Sequence, residues 1–546
     1  MKRNAILPLF LAAALLAGIF AGCGDGGSSP AEDSGSPANT SESSAASSTQ
    51  ASEGASESGG SGMPLFDSPT EMTMFWSWNG SAALIMSGFE ENLVWQEMEK
   101  LTNVKLKFVT PPLGQAEEQF NLIMASGEFP DMIWSDNIKY PGGGDKAIAD
   151  GNYINLNDYL EYAPNYNALI NSSDDIFKQV HTDEGNLWGF PMIEKDVQGA
   201  WLGLLTRKDW LDDLGLDIPV TYDDWEVTLT KFKEEKGASA PLSLDVSGVW
   251  RDCNSLLSGF GVGSEFFQVD NVVKYGPIEE GYREYLTLLN DWYQKGLIDQ
   301  DFTTREGSQL QNFYLTGEIG LWRDGFWMLD LYYNQAEEPG YQLTAVPTPV
   351  KSAGDVAHLR QTNYNNRELY MSISTNCKYP VEAVKFIDYL YGDDGFLLCN
   401  YGIEGLSYEY GADGQPAYTE LMTSNEDGFG TDIMLQKYAL QGGPFNRLWD
   451  REMFTYGEDA QNCEPIWNTA DSAYVLPPVT LTAEEGDLNA SLMGDIKTLV
   501  NESTVKFIMG EKPMSEFDAF AEQIKSMGID RVLETQQAAL DRYNAR

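Results

Sequence analysis

The sequence predicts an α/β fold with a parallel sheet. Three apolar stretches have strand character, namely residues 72–78 (MTMFWSW), 104–109 (VKLKFV) and 130–134 (PDMIW). Apolar residues at helical spacing lie between them, over 89–102 and then over 117–125. A strand–helix–strand–helix–strand order is typical of parallel strands joined by crossover helices. The 546 residues also allow two or more domains, each with its own core.

The first 22 residues have the pattern of a secretory signal peptide. Lys2 and Arg3 precede an apolar run that ends near Phe20, shorter than the roughly 20 residues a membrane-spanning helix needs. The F-A-G-C that follows resembles a bacterial lipobox, although Phe20 stands where Leu is usual. The resemblance implies that Cys23 is the lipidated, palmitate-bearing first residue of the mature protein. An uncleaved anchor and an ordinary cleaved signal are the alternatives.

Residues 23–65 are predicted to be the lipidated cysteine and a disordered linker. The linker is rich in Ser, Gly, Ala and Glu, and no aromatic residue occurs between Phe20 and Phe66. Such a segment buries too little apolar surface to offset the entropy lost on ordering. As a flexible coil of about 40 residues it would span roughly 35 Å.

The charge balance excludes one class of partner. Lys and Arg number 35 against 83 Asp and Glu, for a formal net charge of -48. Because nucleic acids and anionic membrane faces are bound through positive surface charge, neither is an expected partner of this chain's own surface. Neutral and cationic solutes remain possible ligands.

Cysteine and histidine usage gives no sign of a metal centre. The cysteines are Cys23, Cys253, Cys377, Cys399 and Cys463. With Cys23 lipidated, zero, one or two disulfides are possible, and buried free thiols are the simplest expectation. No two cysteines form a C-x-x-C pair, and the chain has only two histidines, His181 and His358. A zinc site is therefore not expected, and no cofactor or metal is predicted.

A stretch near the middle of the chain, LLTRKDWLDDLGLDIPVTYDDW, predicts a strand followed by two capped helices. Thr206 with Asp209 has capping-box spacing for the first helix, and Gly215 stands where a left-handed C-terminal cap is expected. Thr221 with Asp224 repeats the capping pattern for the second helix. This stretch is predicted to be scaffold, since it contains no catalytic constellation.

The same stretch resembles the segment R-K-D-W-L-D-x-L-G-L-x-x-P-x-T of the extracellular solute-binding lipoproteins of bacterial ABC importers, family 1-type. The matching branch is the large one associated with oligosaccharide uptake. Residues 401–405 (YGIEG) match another motif of that family, and residues 292–302 (WYQKGLIDQDF) match a third. The resemblance covers the chain from about residue 68 to its last residues.

The resemblance implies a two-lobed, periplasmic-binding-protein-like fold of type II (a Venus flytrap), with a ligand cleft between the lobes. Lobe 1 is predicted to comprise residues 66–195 and 360–395, and lobe 2 residues 196–359 and 396–546. Many family members carry a calcium-binding turn after the matched stretch. Residues 232–241 (FKEEKGASAP) lack the series of oxygen ligands that such a turn needs, so calcium is not expected there.

Candidate ligand-binding residues lie near predicted strand ends and lobe crossings. Ligands of open α/β sheets bind beyond the carboxyl ends of strands. Aromatic faces stack on sugars, Arg offers a planar fork of donors, and Asp accepts from hydroxyl groups. The predicted residues are Trp78, Asn79, Trp134, Asp136, Trp201, Trp250, Arg251, Trp322, Arg323, Asp324, Arg360 and Glu404. For each tryptophan the alternative is ordinary packing at a boundary. For the charged residues it is a solvated or fold-holding role.

The resemblance implies a monomeric receptor that is lipid-anchored on the extracytoplasmic face of the cell membrane. It would capture a solute, with an oligosaccharide as the predicted class, and deliver it to the permease subunits of an ABC importer. An enzyme is not predicted. Any pair of carboxylates is expected by chance in so acidic a chain, and no serine elbow, P-loop or H-E-x-x-H occurs. The alternatives are an extracellular carbohydrate-active enzyme and a surface adhesion or scaffold lipoprotein.

Overall fold

The structure is a computed structural model. It describes residues 62–134, 140–195, 199–244, 255–305, 307–361 and 364–546. The predicted signal peptide, Cys23, nearly all of the predicted linker, and Cys253 therefore lie outside the described residues. Within the described ranges, no helix combines the length and apolar character needed to cross a membrane.

Strands and helices alternate along most of the chain. The strands are β1 Thr70–Phe75, β2 Val104–Val109, β3 Met132–Trp134, β4 Phe190–Glu194, β5 Leu202–Arg207, β6 Phe266–Val269, β7 Val272–Tyr275, β8 Leu321–Gly325, β9 Leu343–Val346, β10 Asn366–Ile373, β11 Tyr408–Tyr410, β12 Pro416–Tyr418 and β13 Asn446–Arg447. The α-helices are α1 Gly80–Ile85, α2 Leu93–Thr102, α3 Ala116–Ser126, α4 Gly143–Ala149, α5 Pro164–Ile170, α6 Asp174–Val180, α7 Lys208–Leu214, α8 Tyr222–Glu235, α9 Glu280–Gln294, α10 Gly307–Thr316, α11 Met328–Gln335, α12 Pro380–Asp388, α13 Asp393–Tyr401, α14 Glu420–Thr423, α15 Thr431–Tyr438, α16 Glu458–Gln461, α17 Cys463–Trp467, α18 Ala483–Met509, α19 Phe517–Ser526 and α20 Ile529–Ala545.

The first lobe is built on a six-stranded sheet in the order β13-β4-β10-β3-β1-β2. Strand β1 is parallel to both β2 and β3, as the sequence predicts. Strand β10 is antiparallel to β3 and β4, while β13 is parallel to β4. The carboxyl ends of β1, β2, β3, β4 and β13 therefore meet at one edge of the sheet. That edge faces the connections to the second lobe.

Local sequence explains the early elements of the first lobe. In β2, Val104 and Leu106 are buried while the intervening lysines are exposed, which matches the alternation of a half-buried strand. Helix α2 begins after Asn92, whose side chain accepts from the Val94 and Trp95 amides. It ends at Asn103, which adopts the left-handed conformation with φ of 57°.

The second lobe has a smaller sheet, with strands in the antiparallel order β8-β5-β9. Helices α8, α9 and α18 to α20 pack around it and bury a separate apolar core. That core includes Leu204, Trp225, Leu286, Trp292 and Phe507. Two sheets with separate cores agree with the predicted two-lobed fold.

Two of the three helix caps predicted in residues 204–225 are present in the structure. Gly215 ends α7 in the left-handed conformation with φ of 63°, and Thr221 with Asp224 forms a complete capping box at the start of α8. The predicted capping box at Thr206 is wrong, because Thr206 lies inside β5. Its hydroxyl donates to the Gly320 carbonyl oxygen at 2.9 Å, so strand pairing takes the side chain away from the helix.

Residues 396–447 pack with the first lobe, which differs from the predicted boundary at residue 396. Cys399, Leu440 and Phe445 belong to the same apolar core as Met371 of β10. Strand β13 then extends the first sheet through its pairing with β4. The segment stays with the first lobe because its apolar residues fill that core, and the chain passes to the second lobe only after β13.

Three of the chain's five cysteines lie in the described residues. Cys377, Cys399 and Cys463 are buried free thiols. Burial raises the pKa of the Cys377 thiol to about 12, so this thiol stays protonated and unreactive at neutral pH.

Candidate ligand-binding site

The chain passes between the two sheets through three connections, and those connections contact one another. The Glu194 amide at the end of β4 donates to the Asn365 carbonyl oxygen at 2.7 Å, just before β10. The Lys195 amide donates to the Arg447 carbonyl oxygen at 2.8 Å, at the end of β13. These bonds hold the three connections side by side, as expected at a hinge between lobes.

At the facing edge of the second sheet, two indoles stack on each other. Trp201 precedes β5 and Trp327 follows β8, and their ring centroids are 5.6 Å apart with an angle of 28° between the planes. Both side chains are partly exposed. A Cβ atom at Gly325 would overlap the six-membered ring of Trp327, so this position needs glycine for the indole to lie across the strand end. Gln361 holds the backbone at Trp201, since its carboxamide oxygen accepts from the Trp201 amide at 3.1 Å.

A third indole continues this surface towards the first lobe. Trp449 is partly exposed, and its ring lies edge to face with Phe326, with centroids 5.9 Å apart. Phe326 is buried and also meets Trp327 edge to face at 5.5 Å. We call Trp201, Trp327 and Trp449, with Phe326 between them, the aromatic wall. It joins the end of the second sheet to the third connection.

The indole N–H groups of Trp201 and Trp449 have no hydrogen-bond acceptor among the described residues. Buried polar groups in proteins almost always have a partner. The two N–H groups are thus donors that this conformation leaves unused.

A buried polar network supports the aromatic wall from the first lobe. One Arg447 guanidinium nitrogen donates to Glu194 at 3.0 Å, and the other donates to Glu452 at 2.9 Å. All three side chains are almost completely buried. Arg451 donates to the Leu440 carbonyl oxygen and to the Gln441 carboxamide oxygen, both at 2.8 Å. We call these residues the buried network.

Electrostatics inside the buried network favour a charged Arg447. Burial lowers the pKa of its guanidinium, but attraction to Glu194 and Glu452 outweighs burial, so the net effect raises the pKa. Burial lowers the pKa of Arg451, whose hydrogen-bond acceptors are neutral carbonyl and carboxamide oxygens. The two arginines therefore differ in kind, since Arg447 is neutralised by carboxylates and Arg451 is held by neutral dipoles.

Trp134 and Trp322, two of the predicted binding residues, are core residues. Trp134 is 2% exposed and stacks on Trp76 with centroids 5.2 Å apart, and Trp76 in turn meets Trp95 at 5.2 Å. We call Trp76, Trp95 and Trp134 the inner stack. Trp322 is fully buried and stacks on Tyr314 at 4.5 Å. The tight packing leaves little of either ring for a ligand.

The first-lobe residues Trp78 and Asn79 lie beyond β1, which ends at Phe75 rather than at residue 78 as predicted. Trp78 is partly exposed and stacks on Phe89, with centroids 4.5 Å apart. Asn79 caps α1 by accepting from the Ala82 amide at 2.8 Å, and its side-chain nitrogen donates to Gln436 at 3.2 Å. Asn79 also lines a small pocket with Trp134 and Gln441, so it lies near the cleft edge of the first lobe.

The charged candidates Arg323, Asp324 and Arg360 lie in the second lobe with protein partners. Asp324 accepts from the Tyr332 hydroxyl, and burial raises the pKa of its carboxyl group. Arg323 is partly exposed and lines a small pocket beside Tyr314. Arg360 donates to Asn468 at 2.8 Å, and the same Asn468 oxygen accepts from the Ala200 amide beside Trp201.

The remaining candidates are separate from this group. Glu404 is exposed in the turn before β11. Asp136, Trp250 and Arg251 lie outside the described residues. The structure therefore brings Trp201 and Arg360 together at the junction of the lobes, with Asn79 at the edge of the first lobe.

Comparisons with known proteins decide the family. The family model described as bacterial extracellular solute-binding protein matches residues 82–395, more than half of the chain. The chain belongs to this family. Its members are extracellular solute receptors, and the two lobes with their hinge are the fold of such a receptor.

Three relatives of this solute-binding protein are informative. The polygalacturonan/rhamnogalacturonan-binding protein YtcQ of Bacillus subtilis is 23% identical, over 81% of this chain and 87% of the relative. The fructooligosaccharide ABC transporter substrate-binding protein FusA of Streptococcus pneumoniae is 24% identical, over 83% of this chain and 88% of the relative. The solved structure of the alginate-binding protein AlgQ2 without calcium ion is 25% identical, with a TM-score of 0.70 over 87% of this chain and 99% of that chain.

Sequence reasoning did not select several residues of the aromatic wall and the buried network of this solute-binding protein. Trp327 follows the sequence R-D-G-F, and Trp449 follows N-R-L. Each lies two residues after a strand with a polar residue close by, whereas Trp201 was selected for its position near a predicted lobe crossing. The sequence gives no indication of the ion pair between Arg447 and Glu194, because two residues that are far apart in sequence form no local pattern.

Proposed function

We propose that this solute-binding protein is the lipid-anchored, extracytoplasmic substrate-binding component of an ABC importer, and that it captures an oligosaccharide between its lobes. The observation that carries the proposal is the aromatic wall. Three partly exposed indoles lie near one another at the junction of the two sheets, where Trp201 stacks on Trp327 and Trp449 packs against Phe326. The oligosaccharide and polysaccharide ligands in the names of the relatives support the same class of solute.

The aromatic wall suits a chain of sugar rings. The C–H faces of pyranose and furanose rings pack on indole faces, and each Trp side chain offers a large rigid surface with few rotatable bonds. Successive indoles along the wall would contact successive sugar rings.

Ligand binding would favour closure through contacts with both lobes. Trp201, Trp327 and Trp449 lie on the second-lobe side of the junction, and Asn79 lies at the cleft edge of the first lobe. A ligand shifts an open–closed equilibrium only by its difference in affinity for the two states. An oligosaccharide that packs on the indoles and also contacts the first-lobe edge at Asn79 would bind the closed state more tightly, and the permease subunits of the importer would then receive the closed receptor.

The lobe division is part of the proposal. Lobe 1 comprises residues 66–195 and about 364–447, and lobe 2 residues 199–361 and about 448–546. Pairing of β13 with β4 supports the later boundary. The protein acts as a monomer in this proposal, because one chain supplies both walls of the cleft.

The proposed lipid anchor and linker would keep the folded lobes close to the cell membrane. Lipidated Cys23 would hold the protein on the outer face of the cell membrane, and the Ser/Gly-rich linker would let the folded lobes reach the permease. Cys23→Ala should release the protein from the membrane fraction into the medium, measured by fractionation and immunoblotting. Retention of the variant would mean that the apolar run itself is the anchor.

A thermal-shift screen tests the receptor proposal. The panel comprises fructo-oligosaccharides, oligogalacturonates and alginate oligosaccharides, with peptides and amines as comparison ligands. A ligand that binds only the native state raises the apparent melting temperature by mass action. We expect one oligosaccharide class to raise it. A shift with peptides or amines alone would contradict the carbohydrate assignment.

Chromatography of the incubated glycan separates a receptor from an enzyme. Saturable binding with the glycan recovered intact supports the receptor. Conversion of the glycan into products would contradict it and favour the carbohydrate-active enzyme. Tyr410→Ala serves as the binding control, since Tyr410 is an exposed aromatic residue on the β11–β12 hairpin, outside the aromatic wall.

A further inference from the structure

One member of the buried network, Arg447, contacts the Trp449 indole of the aromatic wall. Arg447 ends β13, and its backbone pairs with Glu194 of β4. The Arg447 guanidinium carbon lies 5.2 Å from the centroid of the Trp449 ring. The Trp449 ring also lies nearly perpendicular to Phe326, with centroids 5.9 Å apart and 76° between the planes. The indole therefore contacts a cation of the first lobe and a phenyl ring of the second.

The guanidinium itself has little freedom. Its two terminal nitrogens bind Glu194 and Glu452 at 3.0 and 2.9 Å, and the Arg447 side chain is 5% exposed. A planar fork bound from two sides has a fixed plane.

The backbone beyond Trp449 is fixed by the same network. Trp449–Thr455 forms a 3₁₀ segment, and Arg451 within it donates to the Leu440 carbonyl oxygen at 2.8 Å. Glu452, in the same segment, accepts from Arg447. Anchors therefore precede and follow Trp449, although the ring itself stays partly exposed.

Stability alone does not explain such a network. Replacing a buried ion pair by apolar residues of similar volume is often neutral or stabilising, because desolvation offsets the attraction between the charges. What the ion pairs of Arg447 supply, and an apolar cluster would not, is a single orientation of a flat charged group against an indole.

We propose that Arg447 is a positioning residue for ligand binding, and that it acts by fixing the orientation of the Trp449 indole. The consequence for binding rests on the proposed function of the aromatic wall, whereas the orientation of the indole does not. Since the Arg447 carbonyl oxygen accepts from the Lys195 amide at 2.8 Å, the same residue connects Trp449 to the hinge.

A ligand-free experiment tests the orientation directly. The protein is labelled with 5-fluorotryptophan, and the fluorine resonance of Trp449 is assigned by its loss in Trp449→Phe. Arg447→Lys keeps the positive charge between the two carboxylates but removes the planar face. We expect the Trp449 resonance to shift or broaden in Arg447→Lys, while the Trp134 resonance, assigned by its loss in Trp134→Phe, stays in place.

Glu452→Gln is a milder second variant that removes one of the two carboxylates. It should move the same resonance in the same way. An unmoved Trp449 resonance in both folded variants would overturn the proposal.

Arg207 provides a matched control. It is also buried, binds two carboxylates (Asp209 and Glu338), and stacks on an indole, with its guanidinium carbon 4.5 Å from the Trp210 ring centroid. Arg207→Lys should move the Trp210 resonance and leave that of Trp449 unchanged. Movement of Trp449 in this control would mean that loss of any buried arginine loosens the whole protein, which would also overturn the proposal.

Binding gives the second readout, with kestose, trigalacturonate and an alginate trisaccharide each titrated as probes. For a probe that binds, Arg447→Lys should weaken binding about 5- to 20-fold in the native background and less than 2-fold in a Trp449→Ala background. Equal losses in both backgrounds would show that Arg447 acts independently of Trp449 and overturn the proposal. If no oligosaccharide binds the native protein, the proposed function fails, and the fluorine spectra still decide whether Arg447 positions the indole.

Discussion

The inner stack and the aromatic wall are both built from tryptophans, which are buried in the inner stack and partly exposed in the aromatic wall. In the inner stack, Trp76, Trp95 and Trp134 are at most 6% exposed, and their rings are covered by other rings and by aliphatic side chains. In the aromatic wall, Trp201, Trp327 and Trp449 are each partly exposed, whereas Phe326 between them is buried. The two groups therefore differ in how far neighbouring side chains cover the indoles, although members of both lie near strand ends.

The difference has an energetic meaning. A covered indole contributes its apolar area to the stability of the lobe, roughly 25 cal/mol for each Å² removed from water. The exposed part of an indole adds nothing of this kind to the stability of the lobe. A ligand that covers it on binding would gain the corresponding free energy as affinity. Substitutions in the two groups should therefore separate stability from affinity.

The largest expected effect is on stability, from Trp134→Ala. Removing this buried ring leaves a cavity beside Trp76, and large-to-small core substitutions of this kind cost about 3–5 kcal/mol. Chemical denaturation should show the loss in the free energy of unfolding. The comparison fails if Trp134→Ala unfolds within 1 kcal/mol of the native protein.

Trp327→Ala should have the opposite profile. It removes a stacking face of the aromatic wall, so affinity for a bound oligosaccharide should fall about 10- to 100-fold. The free energy of unfolding should change by about 1 kcal/mol, because the side chain is only partly buried. Calorimetric titration and denaturation of the same preparation measure both quantities. A variant that loses stability but keeps full affinity would assign Trp327 to packing.

Gly325→Ala sharpens the comparison with one added methyl group. The new Cβ would overlap the Trp327 ring and force the indole away from its place beside Trp201. We expect affinity to fall about 3- to 10-fold, with a modest loss of stability of about 1–2 kcal/mol from overpacking. Gly494→Ala is a control that adds a methyl group to open space at an exposed position of helix α18. Unchanged affinity in Gly325→Ala would mean that the placement of the Trp327 ring is irrelevant to binding.

Glu404→Gln should have the smallest effect of all. The side chain is exposed in a turn, so the free energy of unfolding should stay within about 0.5 kcal/mol of the native value. Affinity should stay within 2-fold. A loss of binding in Glu404→Gln would return this residue to the ligand-binding site and extend the site beyond the aromatic wall.

Sequence predicted the features that depend on neighbours along the chain. The alternation of β2, the left-handed cap at Gly215 and the capping box of Thr221 with Asp224 are all set within a few residues. Thr206 shows the limit of this reasoning, since a bond to the distant Gly320 carbonyl oxygen keeps it in a strand.

Sequence could not separate the two groups of tryptophans for the same reason. Trp134 and Trp201 both lie near strand ends, and both were predicted to bind ligand. Whether a ring is covered depends on partners such as Trp76 and Trp327, and the second of these is more than 100 residues from Trp201. Trp449 was not predicted at all, because its orientation comes from Arg447 and Phe326, which meet only in the folded protein.

A fluorine titration compares the aromatic wall with the inner stack in a single experiment. The 5-fluorotryptophan protein is titrated with the oligosaccharide that gives the largest thermal shift, and each fluorine resonance is assigned by a Trp→Phe variant. The account predicts that the resonances of Trp201, Trp327 and Trp449 move with a common dissociation constant, while those of the inner stack stay in place. Movement of the inner stack with an unchanged aromatic wall would contradict it.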